Sequence, residues 1–355
     1  MKIIYDNQIF FNQNFGGPSR YFTELVKELN KINFSSLIVS PFHQNIYLEK
    51  ISSDYKKVIT TNFKKNFLIN KFNDILSNRF FKSTKHDLYH LTYFNKCYQS
   101  SKPKIITVYD LIHEKFNKDF DLNEFPKRRI FKNINHFLCI SENTKKDLIE
   151  YYNIEEEKIS VTHLASFIDQ NQNIMMKIEN PFFLFVGSRK RYKNFKLLIK
   201  SFSKLPEIMK NFEIICFGGG EFLKEEIDHI REMNVDPNKV RNIQGSDEIL
   251  VSLYKQSVAL IYTSTYEGFG LPIVEAMSCG CPVISSDSSC LPEVYGDAAL
   301  SFENNSVENL SHCINKISTD ISLRNLIIDK GFQRSKKFSW NKCAEKTASA
   351  YKTLI

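Results

Sequence analysis

The sequence predicts an α/β protein built as two doubly wound, parallel-sheet domains in tandem. Three observations lead there. Short β-rich apolar runs alternate with segments whose apolar residues recur every three or four positions, the pattern of βαβ units. The alternation is interrupted once, by the polar stretch Asp169-Gln170-Asn171-Gln172-Asn173, and restarts at Pro181. A length of 355 residues also suits two domains of about 100–200 residues each.

In the first half, strands are expected at Lys2–Tyr5, Ser36–Ser40, Asp87–Leu91, Ile105–Tyr109 and His136–Ile140. Helices are expected at Arg20–Asn30 and Thr144–Tyr151, with Ser141 as N-cap and Glu142 and Asp147 near that helix start. In the second half, strands are expected at Phe182–Val186, Glu213–Phe217, Val240–Ile243, Val258–Tyr262 and Pro282–Ser285. Helices follow at Lys196–Lys204, Glu225–Met233, Glu248–Lys255 and Leu271–Ser278. The chain is thus divided into residues 1–170, 171–338 and a final helix in 339–355 that packs back on the first domain.

Apolar residues make up 42% and charged residues 25% of the chain, a mix that buries a core and excludes a disordered or fibrous protein. The net charge of +8 favours anionic partners. Residues 1–170 carry 25 basic and 19 acidic side chains, so most of the excess lies there. Within them, residues 56–85 hold eight basic residues (Lys56, Lys57, Lys64, Lys65, Lys71, Arg79, Lys82 and Lys85) against Asp74, interleaved with Phe63, Phe67, Phe72, Phe80 and Phe81. Such a surface suits an anionic membrane, since Phe enters the headgroup boundary while Lys meets lipid phosphate. Single-stranded nucleic acid binding and a solvated helix with a Phe core face are the competing readings. Eight cysteines without paired C-x-x-C spacing argue against a zinc site or a disulfide scaffold and for free thiols in a reducing compartment. Asp6 interrupts the N-terminal apolar run before a signal peptide forms, and no stretch of about 18 apolar residues is present. The expectation is a cytoplasmic protein whose membrane contact is peripheral.

The most informative stretch is Tyr266-Glu267-Gly268-Phe269-Gly270-Leu271-Pro272-Ile273-Val274-Glu275. It is a strand exit, a glycine-punctuated turn and a helix start, so its amides suit phosphate or hydroxyl oxygens. Glu267 and Glu275 are expected to face one pocket, where carboxylates accept hydrogen bonds from sugar hydroxyls. Asp119-Phe120-Asp121 has the spelling of a D-x-D metal motif but lies in a polar stretch away from any strand end, so no metal is expected. Gly218-Gly219-Gly220 matches a dinucleotide fingerprint only loosely, and no nicotinamide or other cofactor is expected.

Glu267, seven intervening residues and Glu275 within Glu-Gly-Phe-Gly-Leu-Pro resemble the signature of the retaining glycosyltransferases of family four. That resemblance implies a GT-B fold, two Rossmann-like domains facing a central cleft, with donor in the second domain and acceptor in the first. Gly16-Gly17-Pro18-Ser19-Arg20 resembles the family's N-terminal glycine loop, which implies that Gly16 and Gly17 face the donor diphosphate. Gly187-Ser188-Arg189 with Lys193-Asn194 resembles the segment whose Arg and Lys contact the donor phosphates, although the arginine lies one residue later than usual. Gly218–Gly220, Gly280-Cys281-Pro282 and Pro292-Glu293-Val294 follow the same pattern. The implied donor set is Gly16, Gly17, Arg189, Lys193, Gly245, Glu267, Gly268, Phe269, Gly270, Leu271 and Glu275. Gly245 belongs to the stretch after the Val240 strand expected near the base.

The implied catalytic set is Arg189, Lys193, Glu267 and Asp110. A nucleoside diphosphate leaving group gains charge as its glycosidic bond breaks, and fixed cations lower that barrier. Tyr109 stands where many relatives carry a histidine, and Tyr109, Asp110 and His113 form the expected acceptor set. The reading is a retaining hexosyltransferase with a nucleotide-sugar donor, GDP-mannose ahead of UDP-sugars, and a glycan or lipid-linked acceptor in cell-surface polysaccharide or lipopolysaccharide assembly. No nucleic acid is expected. A nucleotide-sugar epimerase and a basic nucleic-acid-binding module are the alternatives.

Overall fold

Parallel strands covered on both faces need near-continuous apolar runs, and the chain supplies them in two sets. The computed structural model describes residues 1–48, 51, 55–56, 59–60, 67–116, 127–172, 176–189 and 191–355. It divides into one compact unit of Met1–Leu164 with Ser339–Ile355 and a second of Ala165–Phe338.

In the first unit seven parallel strands run in the order Tyr55–Lys56, Ser35–Val39, Lys2–Tyr5, Leu88–Leu91, Lys104–Val108, His136–Cys139 and Ile159–Val161. Strand order reverses between Lys2–Tyr5 and Leu88–Leu91, the switch point beside which ligands of such sheets bind. The helix Gly17–Lys31 buries Tyr21, Phe22, Leu25, Val26 and Leu29. The helix Glu142–Tyr152 starts at Ser141, whose hydroxyl accepts the Thr144 N–H. The final helix, Trp340–Lys352, packs within this unit: Tyr351 Oη lies 2.9 Å from Tyr5 Oη and 2.7 Å from His90 Nδ1, and Trp340 tilts against Tyr21 at 6.0 Å.

In the second unit six parallel strands run in the order Val240–Ile243, Glu213–Phe217, Phe182–Val186, Ala259–Tyr262, Val283–Ser286 and Leu300–Phe302. Here the switch point lies between Phe182–Val186 and Ala259–Tyr262. One core cluster holds Phe183, Phe185, Phe195, Phe202, Ile214 and Ile261. Elements outside the sequence expectation include the three-residue strands Ile159–Val161 and Leu300–Phe302, too short to show alternation, and the helices Val307–Thr319 and Ile321–Ser335. All eight cysteines are free, seven of them buried and Cys97 half-buried. Among the described residues no helix is long and apolar enough to cross a membrane.

His90 is fully enclosed, with Nε2 at 2.9 Å from Thr107 Oγ1, and burial lowers its pKa to about 3. The unfolded chain therefore binds a proton near pH 6.5 that the folded chain refuses, and the resulting stability is present above that pH and lost as pH falls toward 3. At pH 5 the loss is about 2 kcal/mol relative to neutral pH. Urea titrations at pH 7.5 and 5 should show that His90→Gln flattens this dependence while lowering stability at both values. An unchanged slope would show that His90 is not the group responsible.

Candidate active site

The first loop of the second unit's switch point leaves the strand Phe182–Val186, and its arginine turns inward. Arg189 is 7% exposed. Its Nε donates to Glu226 Oε1 at 3.1 Å, Nη1 to the Gly218 carbonyl at 3.1 Å and Asn242 Oδ1 at 3.3 Å, and Nη2 to the carbonyls of Gly220 and Glu221 at 2.8 and 2.9 Å. The guanidinium also stacks 4.3 Å from the Phe222 ring. All five of its N–H groups thus have protein acceptors. In this arrangement Arg189 fixes the Gly218–Glu221 turn and joins it to the end of the strand Val240–Ile243. Gly219 is part of the same packing. Its φ is +75°, and a Cβ there would stand 2.9 Å from the Gly187 carbonyl, so the two turns approach this closely only because Gly219 lacks a side chain.

Lys193 is a further cation of the same loop. Its Nζ lies 2.6 Å from Glu267 Oε1 and donates to Tyr262 Oη at 3.1 Å. The two loops are stitched by backbone as well: Thr263 Oγ1 donates to the Lys193 carbonyl at 2.8 Å, and the Thr265 N–H to the Tyr192 carbonyl at 2.7 Å. Burial first, and the Glu267 charge second, push the Tyr262 phenol well above its ordinary pKa, so it stays a protonated donor.

Glu267 is gripped on both sides of its own peptide. Its N–H donates to Ser289 Oγ at 2.9 Å, and its carbonyl accepts from Cys290 Sγ at 3.1 Å. Ser289 holds a left-handed φ of +49°, uncommon for a non-glycine residue and characteristic of constrained loops. Neither Ser289 nor Cys290 was suggested by the sequence, because both partners lie more than twenty positions from Glu267.

Gly270 ends the turn at φ +94°, where a Cβ would meet Leu291 Cδ2 at 2.9 Å, and Leu271 opens the helix Leu271–Ser278. Gly268 is buried in the turn. The Phe269 ring is 3% exposed and packs edge-on against Phe338 at 5.5 Å, so that side chain is core. Glu275, on the same helix, is 8% exposed and accepts a hydrogen bond from Tyr254 Oη at 3.2 Å. The two carboxylates are therefore held by different neighbours, Glu267 by Lys193 and Tyr262, Glu275 by Tyr254. Gly245 is exposed, and its bare Cα makes room for Ile249, whose Cδ1 would lie 2.5 Å from a Cβ.

In the first unit Gly16 caps the helix Gly17–Lys31, with Gln13 Oε1 accepting the Ser19 N–H at 3.3 Å, and Gly17 faces open space. Tyr109 follows the strand Lys104–Val108 and is 8% exposed, and among the described residues its hydroxyl has no hydrogen-bond partner. Burial raises its pKa, which leaves it a donor and not a base. Asp110 Oδ1 accepts the Ile112 N–H at 3.1 Å, a turn cap, and burial raises its pKa against the pull of Lys127. His113 is half-buried on the helix Ile112–Lys115. The switch point of this unit holds a group the sequence did not suggest. Asp6 is fully buried and accepts from Tyr89 Oη at 2.6 Å, Gln8 Nε2 at 2.7 Å, the Gln8 N–H at 3.1 Å and Thr92 Oγ1. Burial raises its pKa, and those donors oppose the rise.

Residues 15–165 match the family described as Glycosyltransferase Family 4, and residues 168–334 match Glycosyl transferases group 1. The chain belongs to these glycosyltransferases. It is 31% identical over 229 residues to O-antigen chain mannosyltransferase B of Escherichia coli, covering 61% of this chain and 60% of that protein. It is 25% identical over 261 residues to the serotype-specific mannosyltransferase WbdA of Escherichia coli, 68% of this chain but 32% of that one. The chain thus spans between about a third and 60% of the length of these relatives. Among solved structures, a Rickettsia africae glycosyltransferase superposes with a TM-score of 0.74 at 19% identity over 99% and 98% of the two chains. The Anabaena protein Alr3699/HepE, in complex with UDP and glucose, does so at 0.75 and 16% over the whole of both. At such identities the likeness concerns the fold, which is GT-B.

Set in this glycosyltransferase fold, the residues expected from sequence fall into distinct groups. Lys193 and Glu267 are brought into contact at the switch point. Arg189 and Phe269 are turned into the protein. Glu275, Gly268, Gly270 and Leu271 lie on the turn and helix that carry Glu267. Asp119-Phe120-Asp121 lies outside the described residues, as do Lys57, Phe63, Lys64 and Lys65. Among the described residues no three His, Cys, Asp or Glu side chains are grouped to hold a metal.

Proposed function

We propose that this chain transfers a hexosyl group from a nucleotide diphosphate sugar to a glycan or lipid-linked acceptor, with retention at the anomeric carbon, in lipopolysaccharide or other cell-surface polysaccharide assembly. The second unit takes the donor and the first unit the acceptor. The observation that carries the reading is the Lys193–Glu267 pair, a cation and a carboxylate 2.6 Å apart on the two loops of the switch point. This is the position where a doubly wound sheet meets its ligand. Lys193 takes the charge that develops on the departing diphosphate, together with the amides of the turn Gly268–Leu271. Glu267 orients the ammonium and accepts hydrogen bonds from the sugar, and Glu275 accepts from the sugar or the ribose. Retention follows if the leaving phosphate oxygen itself takes the acceptor proton on the face it vacates, with Tyr109 donating to an acceptor hydroxyl. GDP-mannose is the favoured donor because the two relatives from Escherichia coli, at 31% and 25% identity, are mannosyltransferases by name.

A thermal-shift panel of GDP- and UDP-sugars tests the donor. A ligand at 100 times its dissociation constant stabilises by about 2.7 kcal/mol, or about 5–10 °C for a unit of this size. GDP-mannose should give the largest shift; a larger one with a UDP-sugar would reassign the base, and none with any nucleotide would overturn the donor site.

The first unit is proposed to rest on an anionic membrane. The exposed face of the helix Phe67–Ser83 shows Phe72 at 60% and Ile75 at 56% exposure, with Lys71, Arg79 and Lys82 beside them. Flotation with phosphatidylglycerol vesicles should fall about thirtyfold in partition coefficient when Lys71 and Arg79 are changed to Gln, at about 1 kcal/mol per charge. Unchanged flotation would remove the membrane from the account.

A further inference from the structure

A groove runs along the first unit beside the helix Phe67–Ser83; none of its residues belongs to the candidate active site, and Lys82 is shared with the face proposed to meet the membrane. Its main compartment has a volume of about 810 Å³ and lies between that helix, the loop after the strand Leu88–Leu91 and the helix Lys127–Phe131. A neighbouring compartment of about 570 Å³ shares Lys82 and Cys97 with it and extends to Lys104. Four cations line the two compartments, Lys82, Lys96, Lys104 and Arg129, against the single carboxylate of Asp74.

Two of those cations are already engaged. Lys96 is paired with Asp74, and Lys104 Nζ donates to the Ser100 carbonyl at 2.8 Å. Lys104 thus has a neutral acceptor only, and Lys82 and Arg129 have no acidic partner among the described residues, so the groove carries three positive charges that no carboxylate compensates, those of Lys82 and Arg129 being without a hydrogen-bond acceptor as well. Four carboxamides, Asn78, Asn95, Gln99 and Asn133, complete the polar lining. Carboxamides both donate and accept, which matches neutral hydroxyls, whereas cations of this kind match phosphate oxygens. Ile130 and Tyr98 add an aliphatic and an aromatic side chain to the main compartment.

We propose that this groove binds a phosphate ester bearing neighbouring hydroxyls, with Lys82 and Arg129 on the phosphate and the carboxamides on the hydroxyls. The ester is either a free polyol phosphate or the glycerophosphate headgroup of an anionic lipid. The site does not depend on the donor reading, since it shares no residue with Lys193, Glu267 or Glu275.

Cys97 supplies a reporter. It lines the groove and is half-buried, while the other seven thiols are buried. The rate of its alkylation by the uncharged reagent N-ethylmaleimide, read by mass spectrometry on the full chain, should fall with sn-glycerol 3-phosphate in proportion to occupancy and stay unchanged with glycerol at equal ionic strength. Lys82→Gln and Arg129→Gln, each at an exposed position, should each raise the protecting concentration about tenfold and leave the melting temperature intact. Protection by phosphatidylglycerol vesicles alone supports the site and identifies the lipid as its source; protection by the soluble ester supports it with a free ligand. Absence of protection by either, or protection that survives both substitutions together, overturns the proposal. Equal protection by inorganic phosphate overturns its hydroxyl half.

Discussion

Lys193→Ala should lower kcat for sugar transfer about 10²–10³-fold, the range for removing one preorganised group that stabilises transition-state charge. The ammonium is immobilised before any ligand arrives, by Glu267 at 2.6 Å and Tyr262 at 3.1 Å. Little reorganisation is then needed when charge develops nearby. The substitution also strips a carboxylate that is 8% exposed of its cation, so some loss of stability accompanies it. Glu267→Gln separates the two effects: it breaks the same ion pair and so shares the loss of stability, but it keeps the ammonium and should lose less activity. Transfer by Lys193→Ala at the wild-type rate, in protein that melts normally, would remove Lys193 from the reaction.

Arg189→Ala should destabilise the second unit by about 3–5 kcal/mol, the cost of breaking a buried charge pair from one side. That corresponds to a fall in melting temperature of about 6–20 °C for a unit of this size. The substitution leaves Glu226 without its cation and three main-chain carbonyls, those of Gly218, Gly220 and Glu221, without their donor. Arg189→Lys should rescue little, because an ammonium cannot reproduce a planar fork reaching several acceptors. A direct phosphate ligand would behave in the opposite way, with kcat falling while stability held. Urea denaturation of Arg189→Ala beside its kinetics distinguishes the two, and intact stability with lost turnover would restore the phosphate role.

These two residues show which parts of the site were legible in the sequence. The strand Phe182–Val186 and the helix Leu271–Ser278 have the bounds their apolar pattern and glycine turn predict, because local chemistry alone sets them. The Glu267–Glu275 stretch was legible for the same reason. The partners of Arg189 were not: they stand 29 to 53 positions away, and no local pattern distinguishes a guanidinium that clamps a turn from one that awaits a phosphate. Asp6 read as the residue that interrupts an N-terminal apolar run, while its donors Tyr89 and Thr92 lie more than eighty positions on. Tyr254 and Ser289 were invisible for the same physical reason, since their roles exist only once strands distant in sequence are laid side by side. The packing of the Phe269 ring against Phe338 was not legible either, because a motif names the residue but not the direction of its ring.

The central claim, that the second unit holds a nucleotide sugar whose diphosphate leaves toward Lys193, is tested most directly by nucleoside diphosphate release. Purified protein is incubated with GDP-mannose, with and without a membrane extract containing lipid-linked glycan, and GDP and sugar products are measured for wild type and Lys193→Ala. The account predicts GDP release that depends on the extract, matches the sugar transferred and falls at least about a hundredfold in the variant. Conversion of the donor without any acceptor, or no release from GDP- or UDP-sugars under conditions where the protein is folded, would contradict it.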